Sequence, residues 1–344
     1  MKKPGDLKVL AVIMQWDYAD PTRGRSCEDS FFVDHLRPLV GSIDTMWIDD
    51  YITSPALLQS LLDDTLARIR ATQPDLVFFV PFQMEFAPEA LDRIRELCPT
   101  MAWFSDDQWR FDDHTSRLAP HYTWVCTTDR FRVDSYRAIG VEPILSQWGG
   151  RDMGAGSAPL PPDGDFAFDV SFVGGRDAYR DWMVHTLEGQ GVSVTTYGAG
   201  WPNGRVFEDD MPAVFRESRI NLNLSNSRNH DIRFVNASPA NQAYYGQTTK
   251  VSEQPKARHF EIALAGGFQL SSYFVGMEDF FVIGDEIAIF TTPEECALQI
   301  KRFLAEPERR YEIALASWER ARRDHTWDAR MRGVLDAAYP STLK

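Results

Sequence analysis

The chain has 344 residues, 44% of them hydrophobic and 25% charged, with a formal net charge of −14. That length is too great for one ordinary core and suits two domains of roughly 150 residues each, while no stretch approaches the roughly 20 uninterrupted apolar residues of a membrane span. The negative charge repels phosphate backbones and anionic lipid alike, which argues against nucleic acid and membrane surfaces as partners.

The opening segment MKKPGDLKVLAVIMQW carries an apolar run of strand length and β-branched content, with no small-residue cleavage site. It reads as the first strand of a cytoplasmic protein. After KVLAVIMQ (8–15), SFFVDHLRPLV (30–40) has helical periodicity, IDTMWID (43–49) alternates as a strand, PALLQSLLDDTLARIRA (55–71) is a long amphipathic helix and DLVFFVPF (75–82) is a buried strand. Helix 87–98, strands 100–106 and 122–128, helix 129–140 and a short strand at 141–145 continue the pattern. Such alternation predicts a parallel sheet covered on both faces. GRDMGAGSAPLPPDGDF (150–166), rich in Gly, Pro and Asp, reads as a linker.

The alternation then restarts with FDVSFVGG (168–175), a helix at 179–188, VSVTTYG (192–198), a helix at 212–217 and RINLNLS (219–225). NSRNHDIRFVNASPANQAYYGQTTKVSE (226–253) reads as a long irregular segment, and such a loop in a compact domain is more often functional than idle. KARHFEIALAGG, FQLSSY, EIAIF and three closing helices follow, and Thr292, Pro293 and Glu295 mark a capped helix start. Two α/β lobes place a ligand at the carboxyl ends of their strands, in the crevice between them. The four cysteines, Cys27, Cys98, Cys126 and Cys296, show no C-x-x-C spacing, and the seven histidines form no i, i+4 pair. Disulfides, structural metal and a resident cofactor are not expected.

In KARHFEIALAGGF (256–268), Lys256, Arg258 and Glu261 fall within one and a half turns of helix, Arg258 and Glu261 at i, i+3. A helix starting near Lys256 offers unpaired N–H groups and a positive dipole end to a diphosphate, and Glu261 can accept from a ribose diol. Gly266 and Gly267 end the helix and allow a close turn. The same residues also fit a surface helix with an Arg–Glu pair and a glycine cap. From Lys256 to Met331 the sequence resembles the donor-binding half of GT-B glycosyltransferases of the CgeB-like (spore-maturation-type) group, with a match over roughly 168–335. The resemblance implies two Rossmann-like, doubly wound domains facing a cleft: 1–155 on the acceptor side, 156–325 binding a nucleotide sugar, and 326–344 a helix returning to the first domain. It also implies that Glu261 binds the nucleotide ribose and that Glu253, through an E-x7-E phrase, lies near the donor sugar of a retaining enzyme. The chain departs from the broader group in lacking proline after Gly267 and in placing Pro255 between the two glutamates.

In VSFVGGRDAYRDW (170–182) the Gly174–Gly175 turn lets amides approach phosphate and Arg176 adds charge. It is not G-x-G-x-x-G, so a dinucleotide is unsupported. TTYGAGWPNGRVF (195–207) is similar to the family's Y-G-x-G-W phrase, which implies that Gly198 and Trp201 flank the base; core packing is the other reading of Trp201. In WFSDDQWRFDDH (103–114), Trp103 and Trp109 are candidates to stack on an acceptor sugar, and Asp106 or Asp107 is the candidate base if the reaction inverts. An N-cap with core tryptophans explains the same phrase. RGRSCEDSFFVDHL (23–36) resembles the family's first acceptor-side loop, with Gly24 allowing close approach. Asp163-Gly164-Asp165 is a D-x-D phrase, but it precedes a strand inside the linker, so no metal is expected to bind it.

These expectations together describe a metal-independent transferase acting on a nucleoside diphosphate sugar and a carbohydrate, protein or small-molecule acceptor. A nucleotide-sugar 2-epimerase and a non-catalytic nucleotide- or glycan-binding protein are the alternatives. Donor base, sugar, acceptor and oligomeric state are not legible in the sequence.

Overall fold

The computed structural model describes residues 2–227 and 231–340. It divides into two compact units, Met1–Gln147 with Trp327–Lys344, and Trp148–Thr326. The first holds six parallel strands, β1 (Lys8–Ile13), β2 (Ser42–Trp47), β3 (Leu76–Phe79), β4 (Thr100–Phe104), β5 (Trp124–Thr127) and β6 (Ile144–Leu145), in the order β2-β1-β3-β4-β5-β6. Every residue of β1 after Lys8 is buried, as a strand covered on both faces requires. Leu10 and Val12 join a core with α1 (Leu61–Thr72) and α2 (Pro88–Leu97), while Ala11 and Ile13 pack on Val33 across the sheet.

The second unit holds five parallel strands, β7 (Phe168–Val173), β8 (Thr195–Tyr197), β9 (Ser218–Asn223), β10 (Gln269–Ser272) and β11 (Ala288–Phe290), in the order β11-β10-β9-β7-β8. Its helices are α3 (Ala178–Gly189), α4 (Met211–Arg216), α5 (Ile232–Asn236), α6 (Pro239–Gln247), α7 (Ala257–Leu264), α8 (Pro293–Ala305) and α9 (Pro307–Asp324). In both sheets the chain starts centrally, steps one way, then returns past the first strand. The reversal lies between β1 and β3 in one unit and between β7 and β9 in the other, and ligands bind such sheets outside the carboxyl ends of those strands.

Four expectations are corrected. The 55–71 helix breaks into Pro55–Leu58 and α1, because the Ser60 hydroxyl bonds back to the Leu57 carbonyl and competes with the helical ladder. The 30–40 helix begins earlier, as a π-helical turn at Glu28–Val33. The segment 226–253 carries α5 and α6, started by Asp231 and Ser238 side chains that cap Arg233 and Asn241 amides and anchored by the buried Phe234; its residues 228–230 lie outside the described residues. The first unit ends at Gln147 rather than 155, since Trp148 packs beside Phe260 and Gly150 pairs with Thr326. The C-terminal helix Trp327–Ala338 belongs to the first unit: Trp327 is buried against Phe32 and Trp103, and Asp328 accepts from His35 at 2.8 Å.

Candidate functional site at the switch point of the second sheet

Beyond β7 the chain runs through Gly174, Gly175 and Arg176. The Gly174 amide donates to the Tyr197 carbonyl and that of Arg176 to Ala199, both at 2.8 Å. The Gly174 amide, expected to approach phosphate, and that of Arg176 therefore tie this loop to the end of β8. A Cβ on Gly198 would stand 2.2 Å from the Gly174 carbonyl oxygen, so these glycines let two backbones cross. Trp201 is 7% exposed, meets Phe172 edge-on and donates its indole N–H to the Gly174 carbonyl. It is a core residue and offers no face to a base. Arg176 is engaged by Asp181 at 2.7 Å and lies over the Trp201 ring.

Arg180 fills the switch point instead. From the first turn of α3 its guanidinium donates to the carbonyls of Leu224 (3.0 Å) and Ser225 (3.1 Å) beyond β9 and Gly175 (2.9 Å) beyond β7. Asp177 caps α3 by accepting the Arg180 amide, and its carboxylate stands 3.6 Å from the guanidinium. Burial, with Arg258 adding repulsion, holds Arg180 below the ordinary arginine pKa.

The turn after β9 brings up the second cation. Lys256, the N-cap of α7, donates its Nζ to Asn226 Oδ1 at 2.7 Å, and Tyr244 donates to the Asn226 carbonyl at 2.8 Å. Burial and then the neighbouring Arg180 push the lysine down to about 7, against a smaller pull from Glu253. Glu253 accepts a 2.6 Å hydrogen bond from Ser227. At the end of β9 the Asn223 side chain is 4% exposed, and among the described residues its Nδ2 donor has no hydrogen-bond partner. Two largely buried cations whose hydrogen bonds go to neutral oxygens, Arg180 with Asp177 as a counter-charge at 3.6 Å, and an amide donor close along the chain fit an anionic, hydrogen-bond-accepting ligand.

His259 fixes the start of α7. Its Nδ1 accepts the Lys256 amide at 3.1 Å while Nε2 donates to Ser271 on β10, and burial lowers its pKa to about 3, so the ring is neutral. Arg258 and Glu261 form a 2.7 Å ion pair, with the guanidinium over the Phe215 ring. Gly266 and Gly267 are at the other end of α7, next to the amino-terminal edge of the sheet. A Cβ on Gly266 (φ +74°) would meet the Ser157 carbonyl at 2.3 Å, and one on Gly267 the Phe215 carbonyl at 2.8 Å. Their role is close packing, and they are not brought to the switch point.

In the first unit Asp107 is fully buried, accepting from Thr127 at 2.5 Å and Tyr136 at 2.7 Å, and burial raises its pKa. It orders the core and is out of reach as a base. Trp103, also fully buried against Phe32 and Trp327, cannot stack on a sugar. Asp106 and Trp109 are half-buried just beyond the carboxyl end of β4, and Gly24 turns the loop after β1 at φ +89°. That loop also presents Tyr18, 60% exposed, in a left-handed conformation and edge-on to Phe82 from the loop after β3. Glu28, buried at the start of the π-helical turn, has its carboxyl pushed up to about 7, burial being the main cause.

Arg180, Asn223, Asn226, Tyr18 and Glu28 are not among the residues that sequence pattern singles out. Only Arg180 left a usable signal, an arginine three residues after an N-capping aspartate at a strand–turn–helix junction. Asp163 and Asp165 precede β7, and among the described residues no group of three or more His, Cys, Asp or Glu side chains could hold a metal ion. Among the described residues no helix is long and apolar enough to cross a membrane.

Residues 180–336 match a family described as glycosyl transferase-like. No curated protein sequence matches the chain. Among solved structures it resembles sucrose-phosphate synthase from Thermosynechococcus elongatus (TM-score 0.65, 10% identity, 96% of this chain and 98% of that one). It also resembles a glycosyltransferase from Rickettsia africae (0.63, 8%, 98% and 100%) and Anabaena HepE in complex with UDP and glucose (0.59, 10%, 97% and 100%). At such identities the likeness establishes the fold. The chain therefore has the GT-B fold of glycosyltransferases, and the match to the glycosyl transferase-like family covers most of its second unit.

Proposed function

We propose that the protein is a metal-independent, cytoplasmic glycosyltransferase of the CgeB-like group. It moves a sugar from a nucleoside diphosphate donor to a glycan, protein or small-molecule acceptor. The observation that carries this reading is the pair Arg180 and Lys256, two largely buried cations at the switch point whose hydrogen bonds go to neutral oxygens. HepE, which shares the fold, is recorded with UDP and with UDP-glucose, and a nucleoside diphosphate has the charge and acceptor oxygens that these groups require.

In the transfer, charge builds on the departing diphosphate as the sugar becomes oxocarbenium-like, and fixed cations in an enclosed site stabilise that charge most. Arg180 and Lys256 have this role, with the amino end of α7 beside them. Glu261 binds the ribose diol by exchanging its bond to Arg258 for the two hydroxyls. Glu253, oriented by Ser227, faces the donor sugar of a retaining reaction; Asp106 is the base if the reaction inverts. The acceptor binds the first unit at the loop carrying Gly24 and Tyr18, near Trp109.

Incubation with a panel of nucleoside diphosphate sugars tests the reading. Slow release of free sugar and nucleoside diphosphate supports a transferase. An isomerised donor identifies an epimerase, binding without turnover identifies a binding protein, and no binding of any nucleoside diphosphate overturns the donor site.

A further inference from the structure

We propose that an open cavity at the amino-terminal edge of the second sheet binds a small oxyanion of phosphate type through Arg310, Arg219 and the Tyr311 hydroxyl. This edge is the far end of the strands from Arg180 and Lys256: the cavity is lined by Ser218, the first residue of β9, and by Phe268, just ahead of β10. Its empty space, counted out into open solvent, is ≈ 270 Å³, and one wall is formed by the proline-rich segment from Pro159 to Phe166.

Arg310 is 4% exposed, yet among the described residues its guanidinium makes a single hydrogen bond, to the Phe303 carbonyl in the last turn of α8. That bond caps α8 and uses one of five N–H donors. Among the described residues no carboxylate stands at ion-pair distance from it. Its positive charge is instead crowded by a second one, since Arg310 and Arg219 lie against the same Phe166 ring at 5.7 and 5.1 Å. Arg219 is paired at 3.2 Å with Asp169, which is itself largely exposed. Burial and then Arg219 hold Arg310 below the ordinary arginine pKa, against smaller opposing effects of Asp169 and Glu308. A buried cation is held at a cost unless a counter-charge arrives, and planar guanidinium groups suit the oxygens of a phosphoryl group. Pro307, the first residue of the 18-residue α9, also lines the cavity.

The test is thermal stabilisation by orthophosphate against chloride at matched ionic strength, with a hexose phosphate as a second probe. A saturable shift is expected in the unaltered protein and in Lys256→Met, absent in Arg310→Met and at least tenfold weaker in Arg219→Gln. A tighter response to the hexose phosphate identifies a phosphoryl group on a larger molecule; a tighter response to orthophosphate identifies the free ion. If Arg310→Met does not fold, Arg219→Gln and Tyr311→Phe decide the matter. A shift that is undiminished in both, that disappears in Lys256→Met, or that never saturates overturns the assignment.

Discussion

Replacing Lys256 by methionine has opposite effects on stability and on ligand binding. The lysine falls from its ordinary 10.5 to about 7 because it is enclosed beside Arg180. At about 1.4 kcal/mol per tenfold change in proton affinity, that displacement corresponds to roughly 5 kcal/mol against the charged form. Solvent relaxation reduces the amount recovered, so the variant is expected to gain about 2–3 kcal/mol at pH 6. The unfolded lysine holds its proton up to its ordinary pKa while the folded one releases it near 7. The unaltered protein therefore gains stability as pH rises through that window, and the advantage of the variant disappears toward pH 10.5. Binding moves the other way, because losing a charge-assisted hydrogen bond to a diphosphate costs about 1.5–3 kcal/mol, or roughly 10- to 150-fold in affinity. Urea unfolding at pH 6 and pH 10, with calorimetric titration of nucleoside diphosphates, measures both. A variant less stable than the parent at pH 6, or one binding diphosphate equally well, refutes the argument.

Glu261→Ala is expected to lose most of the thermal stabilisation given by nucleoside diphosphates; an undiminished shift removes the ribose assignment. Glu28→Gln tests the buried carboxyl of the first unit: because its folded pKa is raised to about 7, the parent loses up to roughly 3 kcal/mol as pH rises from the ordinary carboxyl range to 7. The variant should lack that slope, and matching slopes in the two proteins count against the burial account. Gly266→Ala combines a left-handed φ with a 2.3 Å approach to the Ser157 carbonyl. It should destabilise the protein by about 3 kcal/mol in urea unfolding while leaving nucleoside diphosphate affinity unchanged, and a selective loss of affinity would restore Gly266 to the donor site.

The helix starting at Lys256 shows what is local and what is not. Its capping position, the i, i+3 pair of Arg258 and Glu261 and the closing glycines follow from spacing along one strand–helix unit, and all are found in the structure. The purpose of the glycines is not local. Gly266 abuts the backbone of residues 157–159, about a hundred positions away in the chain, and Gly198 abuts Gly174. Trp103 and Trp201 have the same limitation, because an aromatic residue near a strand end has the same sequence appearance whether it stacks on a ligand or fills a core.

The sequence alone determined that this chain forms two parallel, doubly covered α/β lobes, since hydrophobic periodicity and turn chemistry are set by neighbours a few residues apart. Strand order is set by which buried faces pack together across the whole unit, so only the tertiary structure decided where β7 and β9 part. That choice put Arg180 against the carbonyls beyond β9 and enclosed it near Lys256, because desolvation and charge coupling depend on distance in space rather than along the chain.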